Sequence, residues 1–116
     1  MDTPSFRLHI IPAEGAPYDF PFQGETLVVG RSAEADLTLA DPFLSRRHSR
    51  FFRAGSTLLV EDLGSRNGTR LNGQPVLGPM PVRPGDVIRI SGSEITVHPE
   101  GLPRPRTAAP VEDDLL

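Results

Sequence analysis

Three clusters of side chains carry the chemistry available to this sequence. Gly30-Arg31, Ser45-Arg46-Arg47-His48, and Asn67-Gly68-Thr69 followed by Asn72-Gly73 fall in that order on turns between short apolar runs. Together they supply guanidinium groups, a hydroxyl and an amide. No carboxylate pair, thiol or metal-ligand cluster accompanies them. Donors without a nucleophile and base suit binding an anion rather than transforming it.

Each residue has a functional and a plainer reading. Arg31 follows an apolar run, where Gly30 is read as letting the chain turn. Its planar fork suits a phosphate through two parallel, charge-assisted hydrogen bonds, and the alternative is a solvated surface arginine. Ser45 follows the loop-like Asp41-Pro42-Phe43-Leu44, and its hydroxyl serves either an anion or its own turn. Asn67 offers both donors and an acceptor to a ligand, or simply forms a turn with Gly68. His48 invites a metal or catalytic reading, but the only other histidines, His9 and His98, are distant in sequence and no HExxH spacing exists. A structural histidine bridging loop backbones is the reading adopted. No cofactor or metal is called for.

The elements that must position these residues are strands. Helical periodicity is hard to find. Runs rich in β-branched and aromatic residues instead alternate with Gly, Pro, Asn and Asp. Strands are expected at Phe6–Ile11, Tyr18–Phe22, Thr26–Val29, Leu37–Leu39, Ser49–Arg53, Thr57–Glu61, Thr69–Leu71, Val87–Ile90 and Ile95–His98. Asn72-Gly73 signals a tight hairpin between Thr69–Leu71 and Pro75–Leu77. Pro84-Gly85-Asp86 marks another turn. Such a density of short strands indicates an all-β sandwich or barrel.

Bulk properties narrow the classes. A chain of 116 residues suits one domain with its own core. Cysteine is absent, which excludes disulfides and thiolate chemistry within this chain and permits a reducing compartment; a cytoplasmic protein is expected. Met1-Asp2-Thr3-Pro4 lacks the character of a signal peptide, and no apolar run approaches the ~18 residues of a membrane helix, so no membrane partner is expected. The net charge is -3, yet residues 30–72 hold seven arginines against five acids, a local balance of +2. A basic centre in an acidic chain argues against general nucleic-acid affinity and fits one compact anion. The boundary is expected after His98. Residues 99–116, with four prolines and the acidic Glu112-Asp113-Asp114, read as a flexible tail.

The ordered set resembles a forkhead-associated (FHA) domain. The matching pieces are Val29-Gly30-Arg31, Leu44-Ser45-Arg46-Arg47-His48, Glu61 through Thr69, and Leu71-Asn72-Gly73, and the resemblance runs from about Phe6 to His98. It implies an eleven-stranded sandwich of two twisted, mainly antiparallel sheets, with ligand loops at one end. It also implies a non-enzymatic module that binds a phosphothreonine-containing protein, with a Ser/Thr kinase acting upstream. Arg31, Ser45, Arg46 and Arg66 would then face the phosphate, and Asn67 the ligand main chain. Phe43 would sit in the loop that leans over the residue three positions after the phosphothreonine, favouring an apolar residue or proline there. Gly30, His48, Gly68, Asn72 and Gly73 would be structural, and Arg47 solvated. Two rivals remain open: an FHA scaffold that binds a partner without phosphate, and a small hydrolase, which lacks an evident nucleophile–base pair. Thr107, in the tail, is a candidate for self-docking if phosphorylated, against an inert linker.

Overall fold

The computed structural model describes residues 5–100. The tail expected beyond this point, Thr107 included, lies outside the described residues. The described chain forms eleven strands: β1 (Ser5–Ile11), β2 (Tyr18–Phe22), β3 (Thr26–Gly30), β4 (Leu37–Thr38), β5 (Ser49–Ala54), β6 (Thr57–Asp62), β7 (Thr69–Leu71), β8 (Gln74–Pro75), β9 (Met80–Val82), β10 (Val87–Ile90) and β11 (Ser93–Glu100). They make two sheets, ordered β2-β1-β11-β10-β7-β8 and β4-β3-β5-β6-β9. All pairings are antiparallel except β3 with β4. The fold is an all-β sandwich.

Alternation builds the core. Leu8 and Ile10, Leu27 and Val29, Leu58 and Val60, Ile88 and Ile90, and Ile95 and Val97 turn inward at a period of two and are buried. Phe51 lies among the largest of the fully buried side chains.

β1, β3, β4, β5 and β6 differ from the sequence-based expectation by one residue at one end, and three further strands depart more. Met80–Val82 is not among the expected strands, and Pro81 stands in the middle of it. The strand survives because β9 is an edge, where a missing donor breaks no second ladder. The strand expected at Pro75–Leu77 is Gln74–Pro75 instead. The pairing Leu71↔Gln74 closes a two-residue turn in which Asn72 and Gly73 have φ of 51° and 85°, which pins the partner directly after the turn. The last strand, expected at Ile95–His98, runs from Ser93 to Glu100, because its partners extend to Ser5 on β1 and to Ile90 on β10.

Register places the loops. Val29 pairs with Ser49 and Ser49 with Asp62, so β3 leaves, β5 enters and β6 leaves at the same level of one sheet. The segments 31–48 and 63–68 therefore meet at one end of the sandwich.

Candidate phosphate-binding site

At that end lies an open concavity of about 360 Å³. Arg31, Ser45, Arg46, Arg66 and Asn67 form its polar lining, and Pro42, Phe43 and Leu44 its apolar side. No carboxylate lines it. Among the described residues, none of the three lining arginines forms an ion pair with a carboxylate.

Backbone contacts fix the floor. Arg31 N–H donates to Ser45 O (3.0 Å), Ser32 N–H to Arg46 O (3.2 Å), and His48 N–H to Val29 O (2.8 Å). The chain at Gly30 thus lies hard against 46–47. A Cβ on Gly30 would fall 1.9 Å from Arg46 O and 3.1 Å from Arg47 Cα. Gly30 has no positive φ. Its smallness serves close approach of two backbones, not the turn that the sequence suggested.

Arg31 Nε donates to Leu44 O at 3.0 Å, which orients the guanidinium and leaves its two terminal nitrogens for a ligand. His48, fully buried, ties both loops together. Ser45 N–H donates to its Nδ1 (3.1 Å), so the ring proton of neutral imidazole lies on Nε2, which donates to Gly68 O (2.8 Å). Ser45 Oγ accepts Arg66 N–H at 3.0 Å, so its own hydrogen remains available to donate. Asn67 Nδ2 donates to Phe43 O at 2.7 Å, bridging the loops from the other side. Its Oδ1 and second amide hydrogen remain. Phe43 is 70% exposed.

The sequence reading passed over the polar support beneath. Asp62 Oδ2 accepts Ser65 N–H (2.8 Å), and Oδ1 accepts the hydroxyls of Ser65 and Thr69 (2.6 Å each). Ser65 Oγ in turn accepts Gly68 N–H (2.8 Å). Because Thr69 spends its hydrogen on Asp62, Ser49 Oγ donates to Thr69 Oγ1 (2.7 Å) and links the two sheets. Burial raises the Asp62 pKa, but these hydrogen bonds to the carboxylate outweigh it, and the net shift is downward. The signal in the sequence was the Asp62-Leu63-Gly64-Ser65 spacing, a local side-chain-to-backbone motif. Asp41 was also missed. It is 2% exposed and accepts Phe43 N–H (3.0 Å) and Gly92 N–H (3.1 Å).

Of the residues singled out from sequence, Arg31, Phe43, Ser45, Arg46, Arg66 and Asn67 are brought together. Gly30, His48 and Gly68 lie against or beneath them. Arg47 is exposed and does not line the concavity. Asn72 and Gly73 lie at the β7–β8 turn instead. There Asn72 Oδ1 accepts Val87 N–H (2.9 Å) and Nδ2 donates to Asp86 (3.1 Å).

A family model for the FHA domain matches residues 27–91, which covers both site loops. The chain belongs to the FHA family. FHA domains are non-catalytic modules of protein interaction known for binding phosphothreonine peptides. This FHA domain is similar to FhaB, an FHA domain-containing protein of Mycobacterium tuberculosis, at 37% identity over 75 residues. That match covers 65% of this chain but 48% of FhaB, so the chain spans about half the length of that relative. Among solved structures it resembles one from a structural and functional analysis of phosphothreonine-dependent FHA domain interactions, with TM-score 0.71 and 34% identity, covering 84% of this chain and 99% of that one. It also resembles Mycobacterium tuberculosis EmbR in complex with a low-affinity phosphopeptide, with TM-score 0.73 and 29% identity, covering 81% of this chain and 24% of that one.

Proposed function

We propose that this FHA domain docks onto a phosphorylated threonine in a partner protein. The observation that carries the reading is the unpaired lining: three arginines with no carboxylate among them, around a serine hydroxyl already oriented by Arg66 N–H. A phosphate monoester brings about -1.5 to -2 charges and three acceptor oxygens. Arg31 grips it with its free nitrogens, Ser45 donates its hydroxyl, and Arg46 and Arg66 add positive charge. Asn67 uses its remaining amide groups on the ligand main chain. Phe43 offers an apolar face to a flanking residue. A Ser/Thr kinase must act upstream to write the mark.

Calorimetric titration with matched phosphothreonine, phosphoserine and unmodified peptides from an oriented library tests this. Binding of the phosphothreonine set alone is expected. Equal binding of the unmodified set would replace the reading with a phosphate-independent scaffold.

A further inference from the structure

Phe43 is an exposed aromatic whose backbone is held at both ends by side chains. Its N–H donates to Asp41 Oδ1 (3.0 Å) and its C=O accepts from Asn67 Nδ2 (2.7 Å). Asp41 is itself anchored. It is buried, its other oxygen accepts Gly92 N–H at the β10–β11 turn (3.1 Å), and its carbonyl accepts Leu44 N–H (3.1 Å). A Cβ on Gly92 would meet Ala13 Cβ at 3.1 Å and Asp41 Oδ2 at 3.7 Å, so the anchor is packed as well as bonded.

A loop that only needed to cover the core would not hold both polar groups of an exposed residue in this way. Loop contacts otherwise lose affinity to ordering on binding, and fixing them beforehand removes that cost. The groups facing phosphate are held separately. Ser45 hangs from His48 and Arg66, and Arg31 from Leu44 O. The two sets of supports adjoin at Phe43–Ser45 and at Arg66–Asn67, but the Asp41 carboxylate itself accepts only from Phe43 and Gly92, not from a group that holds Ser45 or Arg31.

We infer that Asp41 is a positioning residue that acts through Phe43. It fixes the aromatic against the ligand side chain beside the phosphothreonine and thereby sets selectivity at that place, while phosphate affinity rests on other supports. This rests on the proposed phosphothreonine function. Asp41 itself touches no ligand.

The test compares wild type, Asp41→Asn and Asp41→Ala, with Phe43→Ala as reference. The ligands are a capped phosphothreonine residue and two phosphothreonine peptides, one with leucine and one with glycine at the flanking position that library selection assigns to Phe43. Wild type should prefer leucine at least five-fold. In Asp41→Ala, and in Asp41→Asn where Phe43 N–H is the donor released, that preference should fall below two-fold, as in Phe43→Ala, with affinity for capped phosphothreonine held within two-fold. Amide hydrogen exchange of unliganded Asp41→Ala should show Phe43 N–H and Gly92 N–H each losing at least ten-fold in protection, with His48 N–H unchanged; in Asp41→Asn, whose single amide oxygen cannot accept from both, at least one of the two should do so. An exchange experiment needs only the fold, and Asp41→Asn keeps the volume if alanine does not fold.

Retained leucine preference where Phe43 N–H has lost protection, an equal loss for all three ligands, or unchanged exchange at both Phe43 and Gly92 would overturn the inference. Wild type that binds no phosphothreonine ligand would instead remove the functional reading on which it rests.

Discussion

Replacing Gly30 with alanine tests the architecture of the site at its tightest point. The new Cβ would lie 1.9 Å from Arg46 O and 2.7 Å from Arg46 C. Even a close C–H···O contact needs about 3.3 Å, so one backbone must retreat by roughly 1.4 Å. Neither obstacle is the end of a flexible side chain. The retreat stretches three hydrogen bonds that begin at 2.8, 3.0 and 3.2 Å and join 29–32 to 45–48. Each contributes about 1 kcal/mol net, and overpacking a well-filled site adds about 1–3 kcal/mol, so a loss of at least about 3 kcal/mol is expected. For a domain of this size, about 4–8 °C accompanies each kcal/mol, which puts the drop in Tm at about 12 °C or more. Ser45 and His48 ride on the displaced segment, so phosphopeptide affinity should fall even where the variant remains folded. Gly68→Ala is the contrast. Gly68 has φ of +84° but nothing within 4 Å of a Cβ. Its cost should be only the left-handed backbone penalty, about 1–2 kcal/mol. Scanning calorimetry with titration at low temperature measures both. A Gly30→Ala protein that melts within about 3 °C of wild type and binds normally would refute the close-approach argument.

Arg31→Ala should lose at least ~2 kcal/mol of phosphopeptide affinity while staying folded, because it removes charge-assisted bonds from an exposed loop residue. Titration of a variant with native circular dichroism checks this; unchanged affinity would withdraw the phosphate assignment. His48→Ala should lower Tm first and binding only in consequence, since two backbone groups lose their partner. Unchanged melting with abolished binding would make His48 a direct ligand. Affinity should fall with added salt and below about pH 6, where phosphate gains its second proton. A flat response to both would argue for an apolar interface. The Asp62 pKa is held below its ordinary 3.8, so its stabilisation is present above that value and is lost as pH falls through the lower folded value. Asp62→Asn should therefore destabilise near neutrality and converge on wild type in acid melts, and a constant difference down to low pH would contradict that.

The fold was legible where one physical signal dominates. Alternating runs such as Phe6–Ile11 and Val87–Ile90 announce half-buried strands, and Asn72-Gly73 announces a turn needing two positive φ angles. Legibility failed where the deciding neighbour is distant in sequence. Gly30 looked like a turn glycine, but its constraint comes from Arg46, a residue no local pattern connects to it. Met80–Val82 was missed, and only sheet order reveals that β9, with Pro81 in its middle, is an edge. Arg31, Ser45 and Asn67, which line the concavity, stood out because polar donors cluster in turns. Their supports did not, because a buried Asp41 or Asp62 carries the same local pattern as a solvated turn aspartate.

That asymmetry bears on how the site works. Ser45 is fixed at its N–H by His48, at its C=O by Arg31 N–H and at its hydroxyl oxygen by Arg66 N–H. Three separate segments must be correctly placed before its hydroxyl is placed. On the proposed function, ligand binding would have little ordering left to do at the phosphate, and the gain from each charge-assisted bond would not be lost to immobilising the loop. The Asp62–Ser65–Thr69–Ser49 chain extends this rigidity across both sheets. Such a site is costly to remove by truncating its supports and cheap to retune at its rim. Selectivity should therefore respond to changes at Phe43 and Asp41, and the presence or absence of phosphate binding to changes at Arg31 and Ser45.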